Sequence, residues 1–162
     1  MPSDETVMSV ERLYSRPGHL IRRAQQIAVS IFVEECGALD LTPVQYAALV
    51  AIRSQPGLDA TRLSALVAFD RSTVGNVLER LEGKGLIVRV NSPEDRRLKL
   101  LHITDAGVDI VEKAELGVQR TQERILAPLA PADRDHFIAL LTQLVELNNN
   151  ASRVPQSTPP KR

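Results

Sequence analysis

The chain has 162 residues, enough for one domain with a substantial core, and balances 20 Lys+Arg against 20 Asp+Glu for a formal net charge of zero. Only 3% of residues are aromatic and none is Trp, while Ala, Leu and Val abound, which suits a mainly helical protein with no global basic field. One cysteine excludes an internal disulfide framework, and with neither a signal peptide nor an apolar run of bilayer length the chain is expected to be cytoplasmic and free of membrane contact.

Both ends, residues 1–10 and 151–162, are polar or rich in Pro and Ser, and are expected as mobile tails without a packed role. From Gly18 to Gly37, the residues Leu20, Ile21, Ala24, Ile27, Ala28, Ile31 and Phe32 form one helical stripe, with Gly37 as its stop. Thr42, Pro43 and Gln45 mark a strong helix start, and Gln55-Pro56-Gly57 ends that second helix. Asp59 caps a short third helix through Val67. Asp70 caps a fourth from Arg71 to about Gly83, closed by Lys84 and a left-handed Gly85. Leu86–Val90 and Leu98–Ile103 read as strands around a turn at 91–95. Thr104 caps a long fifth helix ending near Pro128, and Pro131 opens a sixth to about Asn148.

A short helix, a turn, a second helix and a hairpin in that order describe a winged helix-turn-helix, which places one helix in the DNA major groove and a hairpin beside it. With net charge zero, this requires local segregation of charge; net charge alone favours a neutral helical protein with no such partner. The fourth helix buries Val74, Val77, Leu78 and Leu81. On its other side it carries Ser72, Thr73, Asn76 and Arg80, groups that read base edges and phosphates. An ordinary solvent face would carry more Glu and Lys. At the hairpin tip, Arg96 and Arg97 suit a minor groove, with Asp95 expected to aim Arg97 by an ion pair or to form the turn, or both. Arg62, Arg71, Lys84 and Lys99 complete the candidate DNA contacts.

These residues resemble the MarR family of transcriptional regulators. The resemblance rests on Leu41–Tyr46, Asp70–Val74, Leu81–Ile87, and Asp95-Arg96-Arg97 followed by Leu100–Gly107, and it spans roughly residues 18 to 148. It implies a homodimer on a pseudo-palindromic double-stranded DNA operator, with repression relieved by a small ligand. It also implies a division into a 1–15 arm, a helical dimerisation region at 16–40 and 104–150, a DNA-binding lobe at 41–103 and a 151–162 tail. The family's wing Asp-x-Arg falls on Asp95 and Arg97.

Residues 14–23 resemble the branch of the family that senses aromatic acids, including regulators of nicotinate and hydroxybenzoate breakdown. Arginine forks onto a carboxylate and histidine can donate beside it. Arg16, His19, Arg23, Gln26 and Tyr46 are therefore the candidate ligand residues for a small aromatic carboxylate, with Leu20, Ile27 and Tyr46 as apolar walls. Solvation, or pairing across a dimer, is the alternative for these basic residues. A redox-sensing Cys36 is a further alternative, opposed by Glu34, Glu35 and the negative end of its helix. A winged-helix module that binds protein rather than DNA is another. His19, His102 and His136 lie far apart without clustered metal ligands. No phosphate-cradling loop or nucleophile elbow is present, so no enzyme, cofactor or metal site is expected.

Overall fold

The computed structural model describes residues 9–157. In chain order these form α1 (Val10–Tyr14), α2 (Pro17–Cys36), a 3-10 turn (Gly37–Leu39), α3 (Pro43–Ser54), α4 (Ala60–Val67) and α5 (Arg71–Gly83). Then come β1 (Ile87–Asn91), β2 (Lys99–Ile103), α6 (Asp105–Leu126), α7 (Pro131–Leu147) and a closing 3-10 turn (Asn149–Ala151). The first helix expected from the sequence is α2, and the fifth and sixth are α6 and α7.

Local chemistry sets the helix starts. Thr42 Oγ1 accepts from Gln45 N–H while Gln45 Oε1 accepts from Thr42 N–H, a reciprocal capping box that opens α3. Asp59, Asp70 and Thr104 each accept the N–H three residues on, at 2.9, 2.9 and 3.1 Å, so α4, α5 and α6 begin where their caps dictate. Gly85, at φ +71, ends α5 with Leu86 N–H donating back to Leu81 O. Gly37 differs from expectation. It stays right-handed at φ −61 and leads into a 3-10 turn, and Asp40 takes the left-handed position at φ 51. Asp40 is held there by Lys84, 44 positions away, a partner that no local pattern reveals.

The core joins α3, α4, α5, the hairpin root and α6 around Leu49, Ile52, Leu58, Leu63, Leu81, Ile87 and Leu101. The hairpin is antiparallel, with Ile87 opposite Ile103 and Asn91 opposite Lys99. Two glycines permit close backbone approach. A Cβ on Gly107 would lie 2.2 Å from Leu86 O, and one on Gly117 would lie 2.7 Å from Cys36 Sγ and 2.9 Å from Glu35 O. The α2–α6 contact so formed is edged by Arg120 and Arg124, which bind Glu34 and Glu35.

α7 buries none of its residues within this chain, and Phe137, Ile138, Leu140, Leu141, Leu144 and Val145 are all exposed. Between α2, α6 and α7 lies an apolar cavity of about 460 Å³.

The ends require a correction. Residues 10–14, expected in a mobile arm, form α1, because Ser9 caps it by accepting from Arg12 N–H and Ser15 Oγ donates to Arg12 O at its other end. Residues 151–157, expected as a tail without a packed role, return to α4, where Ser157 N–H donates to Ala65 O. Asn149 shapes that return by hydrogen-bonding both backbone groups of Gln156. The expectation for residues 1–8 and 158–162 lies outside the described residues.

Candidate nucleic-acid interface and effector cavity

α5 presents two faces, as its sequence period requires. Val74, Val77, Leu78 and Leu81 are buried, while Arg71, Ser72, Asn76 and Arg80 are exposed. Thr73 is half-buried and already engaged: its hydroxyl donates to Asp70 Oδ2 at 2.8 Å. It can therefore accept from a base or water but has no free proton to donate. The two bonds from Thr73, backbone first, hold the Asp70 carboxyl below its usual range, so the cap stays ionised and in place.

The wing tip is folded by its own side chains. Ser92 Oγ accepts from the N–H groups of Glu94 and Asp95, and Leu98 N–H donates to Asp95 O. Asp95 Oδ1 accepts from the backbone N–H of Arg97 at 2.9 Å. The ion pair expected between Asp95 and the Arg97 guanidinium is not formed among the described residues, because the carboxylate closes the turn instead. Asp95 thus presents Arg97 through the backbone and leaves both guanidinium groups of the tip exposed.

Lys99 and Lys84 are placed differently from the arginines. Lys99 Nζ donates to Asn91 Oδ1 at 2.6 Å across the strand pair. Lys84 Nζ pairs with the Asp40 carboxylate at 2.8 Å, fixing the end of α5 to the turn after α2. Arg89, which sequence reasoning passed over, binds Glu82 through Nε at 2.9 Å and also through Nη2, tying β1 to the last turns of the helix. That pairing holds the Glu82 carboxyl below its usual range. The partner of Arg89, seven residues back, comes within reach only once the Gly85 turn is built. Arg62, Arg71, Arg80, Arg96 and Arg97 make no ion pair among the described residues.

A second cavity, of about 530 Å³, lies where α1 meets α2 and is lined by Tyr14, His19, Leu20, Arg23, Ala24 and Ile27. It brings together His19 and Arg23 with the expected walls Leu20 and Ile27. It adds Tyr14, whose ring lies 5.6 Å from that of His19. Sequence pattern does not single out Tyr14, because residues 1–15 read as an arm and α1 is too short to show a helical stripe. Arg16 is the N-cap residue of α2 and does not line the cavity. Gln26 also lies outside it, accepting from Arg22 at 3.2 Å, while Arg22 Nη2 also lies 3.3 Å from His19 Nδ1. Tyr46 is elsewhere: it packs against the core with its ring 6.2 Å from Phe32, and burial pushes its phenol up. Cys36 is 1% exposed, and burial followed by Glu35 pushes its thiol up, which disfavours the reactive thiolate. No helix among the described residues is long and apolar enough to cross a membrane.

The sequence profile of the MarR family matches residues 41–99, the capping box of α3 through the start of β2. A protein of Thauera aromatica assigned to transcriptional regulation of the hcr operon is 38% identical over 128 residues, which cover 78% of this chain and 77% of that protein. The crystal structure of the PcaV transcriptional regulator of Streptomyces coelicolor, in complex with its natural ligand, is 34% identical. It covers 86% of this chain and 98% of its own, with a TM-score of 0.78. BpsR of Bordetella bronchiseptica, whose DNA binding is regulated by 6-hydroxynicotinic acid, is 31% identical, with coverage of 82% and 94% and a TM-score of 0.76. These relatives are regulators rather than enzymes. Matching profile, matching fold and this identity over most of the chain agree: the protein belongs to the MarR family of transcriptional regulators.

Proposed function

We propose that the protein is a dimeric repressor that holds a pseudo-palindromic operator and releases it when a small aromatic carboxylate enters the α1–α2 cavity. One observation carries the DNA-binding part. Arg62, Arg71, Arg80, Arg96 and Arg97 are exposed and lack ion-pair partners among the described residues, and they belong to the helix-turn-helix and the wing tip. On this reading Ser72, Asn76 and Arg80 meet base edges in the major groove, Thr73 accepts there, and Arg97 enters the minor groove. Residues 41–103 are the DNA-binding lobe. Residues 16–40 and 104–150 form the dimerisation region, because the exposed apolar face of α7 and the cavity beside it suit a second copy. The protein acts by binding, not by catalysis.

The effector part rests on the cavity chemistry. Arg23 and His19 offer charge-assisted donors to a carboxylate, while Tyr14, Leu20 and Ile27 offer walls to a ring. BpsR responds to an acid of this class. The test begins with selection of duplexes from a random pool by the purified protein. The expected product is an inverted repeat with half-sites about one helical turn apart; no enrichment even at low salt would sink the DNA-binding reading. Titration of 6-hydroxynicotinic and 4-hydroxybenzoic acids into the selected complex then follows, for wild type, Arg23→Ala, His19→Ala and Arg16→Ala. Release by one acid, weakened about tenfold or more in Arg23→Ala or His19→Ala, is expected from loss of a charge-assisted bond. If those two variants respond as the wild type does, the cavity is not the effector site.

A further inference from the structure

A helix leaves its last four carbonyls without partners inside the helix. In α4 these belong to Ser64, Ala65, Leu66 and Val67. Ser64 O accepts from Ala68 and Phe69, the first of which is left-handed at φ 54. The next two carbonyls are taken by the other end of the protein. Ser157 N–H donates to Ala65 O at 2.9 Å, and Gln156 Nε2 donates to Leu66 O at 2.9 Å.

The segment that delivers these donors is shaped for it. Asn149 Nδ2 donates to Gln156 O at 3.0 Å, and Asn149 Oδ1 accepts from Gln156 N–H at 2.8 Å. One side-chain amide thus closes the seven-residue return as a backbone pair would. Ser152 Oγ bends the middle by bonding to Val154. α7 leads straight into this segment. Beyond α4, three residues lead to α5, whose polar face carries Ser72, Asn76 and Arg80.

We propose that Asn149–Ser157 is a strap that positions the helix-turn-helix against α7, with Asn149 and Gln156 as positioning residues for DNA recognition; its DNA arm rests on the function proposed above. The lobe is already joined to α2 through the 3-10 turn and to α6 through Thr104, a shared core and the Arg53–Glu112 pair. Those joints reach α2 and α6, whereas the strap joins α4 to the end of α7 and so adds a constraint on how the lobe is oriented against that helix. In a dimer built through α7, that orientation sets the spacing of the two recognition helices. A variant that populates the competent spacing less often binds with an affinity lowered by the same fraction.

The test compares full-length wild type with Gln156→Leu, which removes the side-chain donor without changing charge, and Gln156→Lys, which retains a donor and places a cation at the helix C-terminus. A chain ending at Asn148 is the third variant. Backbone amide exchange of Gln156 and Ser157 should be protected in the wild type. Gln156→Leu should speed exchange of Ser157 by about fivefold to thirtyfold, the factor for one or two kcal/mol. Gln156→Lys should keep the protection. With the dimer mass unchanged, Gln156→Leu and the shortened chain should bind the selected duplex more weakly, the shortened chain more so. Unprotected exchange of Gln156 and Ser157 in the wild type overturns the strap. Unchanged duplex affinity in both Gln156→Leu and the shortened chain overturns its positioning role. A wild type that binds no duplex refutes the proposed function instead, and the exchange arm still decides whether the strap exists.

Discussion

Gly107→Ala is expected to destabilise the protein although it replaces glycine in a helix. Propensity favours alanine there by about 0.5–1 kcal/mol. The new Cβ, however, would stand 2.2 Å from Leu86 O and 2.6 Å from Ile103 Cγ1. A backbone carbonyl cannot swing away as a side chain can. Leu86 O also accepts from Thr104 N–H at 3.0 Å, so displacing it loosens the start of α6. Overpacking of this kind costs about 1–3 kcal/mol, and the weakened bond adds about 1 kcal/mol. The balance is a loss of about 1–3.5 kcal/mol, or a Tm lowered by about 2–14 °C in a chain of this length. Gly75→Ala provides the opposite sign. Nothing lies within 4 Å of its Cβ position, so only the propensity gain remains and Tm should rise by about 2 °C. Far-UV circular dichroism melts at one fixed protein concentration measure both, since a dimer's apparent stability depends on concentration. A Gly107→Ala variant as stable as the wild type would refute the packing argument.

Glu82 and Arg89 make stability depend on pH with a fixed sign. The carboxyl is held below its ordinary value of 4.5, so its contribution is in place above that value and is lost as the pH falls through the lower folded value. The difference in urea midpoint between wild type and Glu82→Gln should therefore be present at neutral pH and vanish in acid; a difference that persists or grows in acid contradicts the ion pair. Arg97→Ala should weaken operator binding and reduce the slope of log K against log salt by about one, whereas Lys84→Ala should leave the slope unchanged, because Lys84 is tied to Asp40. Gly117→Ala should separate α2 from α6, since its Cβ would meet Cys36 Sγ and Glu35 O; the readout is a lower Tm, and an unchanged Tm would contradict the close approach.

Local features were legible from the sequence, and contacts between distant residues were not. Thr42, Asp59, Asp70 and Thr104 each act on a group three residues away, so a short window holds the whole interaction. The buried stripe of α5 was readable for the same reason. Lys84 illustrates the limit: as a cation at the end of a recognition-type helix it reads as a phosphate contact, but Asp40 reaches it only through the tertiary fold. Tyr46 reads as a pocket wall until Phe32 on α2 packs against it. Tyr14 needed the knowledge that α1 folds back at Pro17 to bring its ring to His19. Gln156 and Leu66, 90 positions apart, share no pattern in the chain at all.

The zero net charge of the chain argues less against a DNA partner than it first did. A charge acts on a phosphate over about 8–10 Å at physiological salt, so distant acids are screened and partners matter more than totals. Glu34, Glu35, Asp40, Glu82, Asp109 and Glu112 are each neutralised by an adjacent cation. Asp59 and Asp70 instead satisfy helix N–H groups, and Asp95 satisfies a turn. The arginines of the helix-turn-helix and wing tip have no such partner among the described residues. Pairing therefore ties up six acids away from the arginines of the helix-turn-helix and wing tip, which stay uncommitted beside the exposed Glu79 and Glu94. A field assembled this way does not follow from composition, because it depends on which charges the fold brings together. Its strength is read by the salt dependence of binding and not by the isoelectric point.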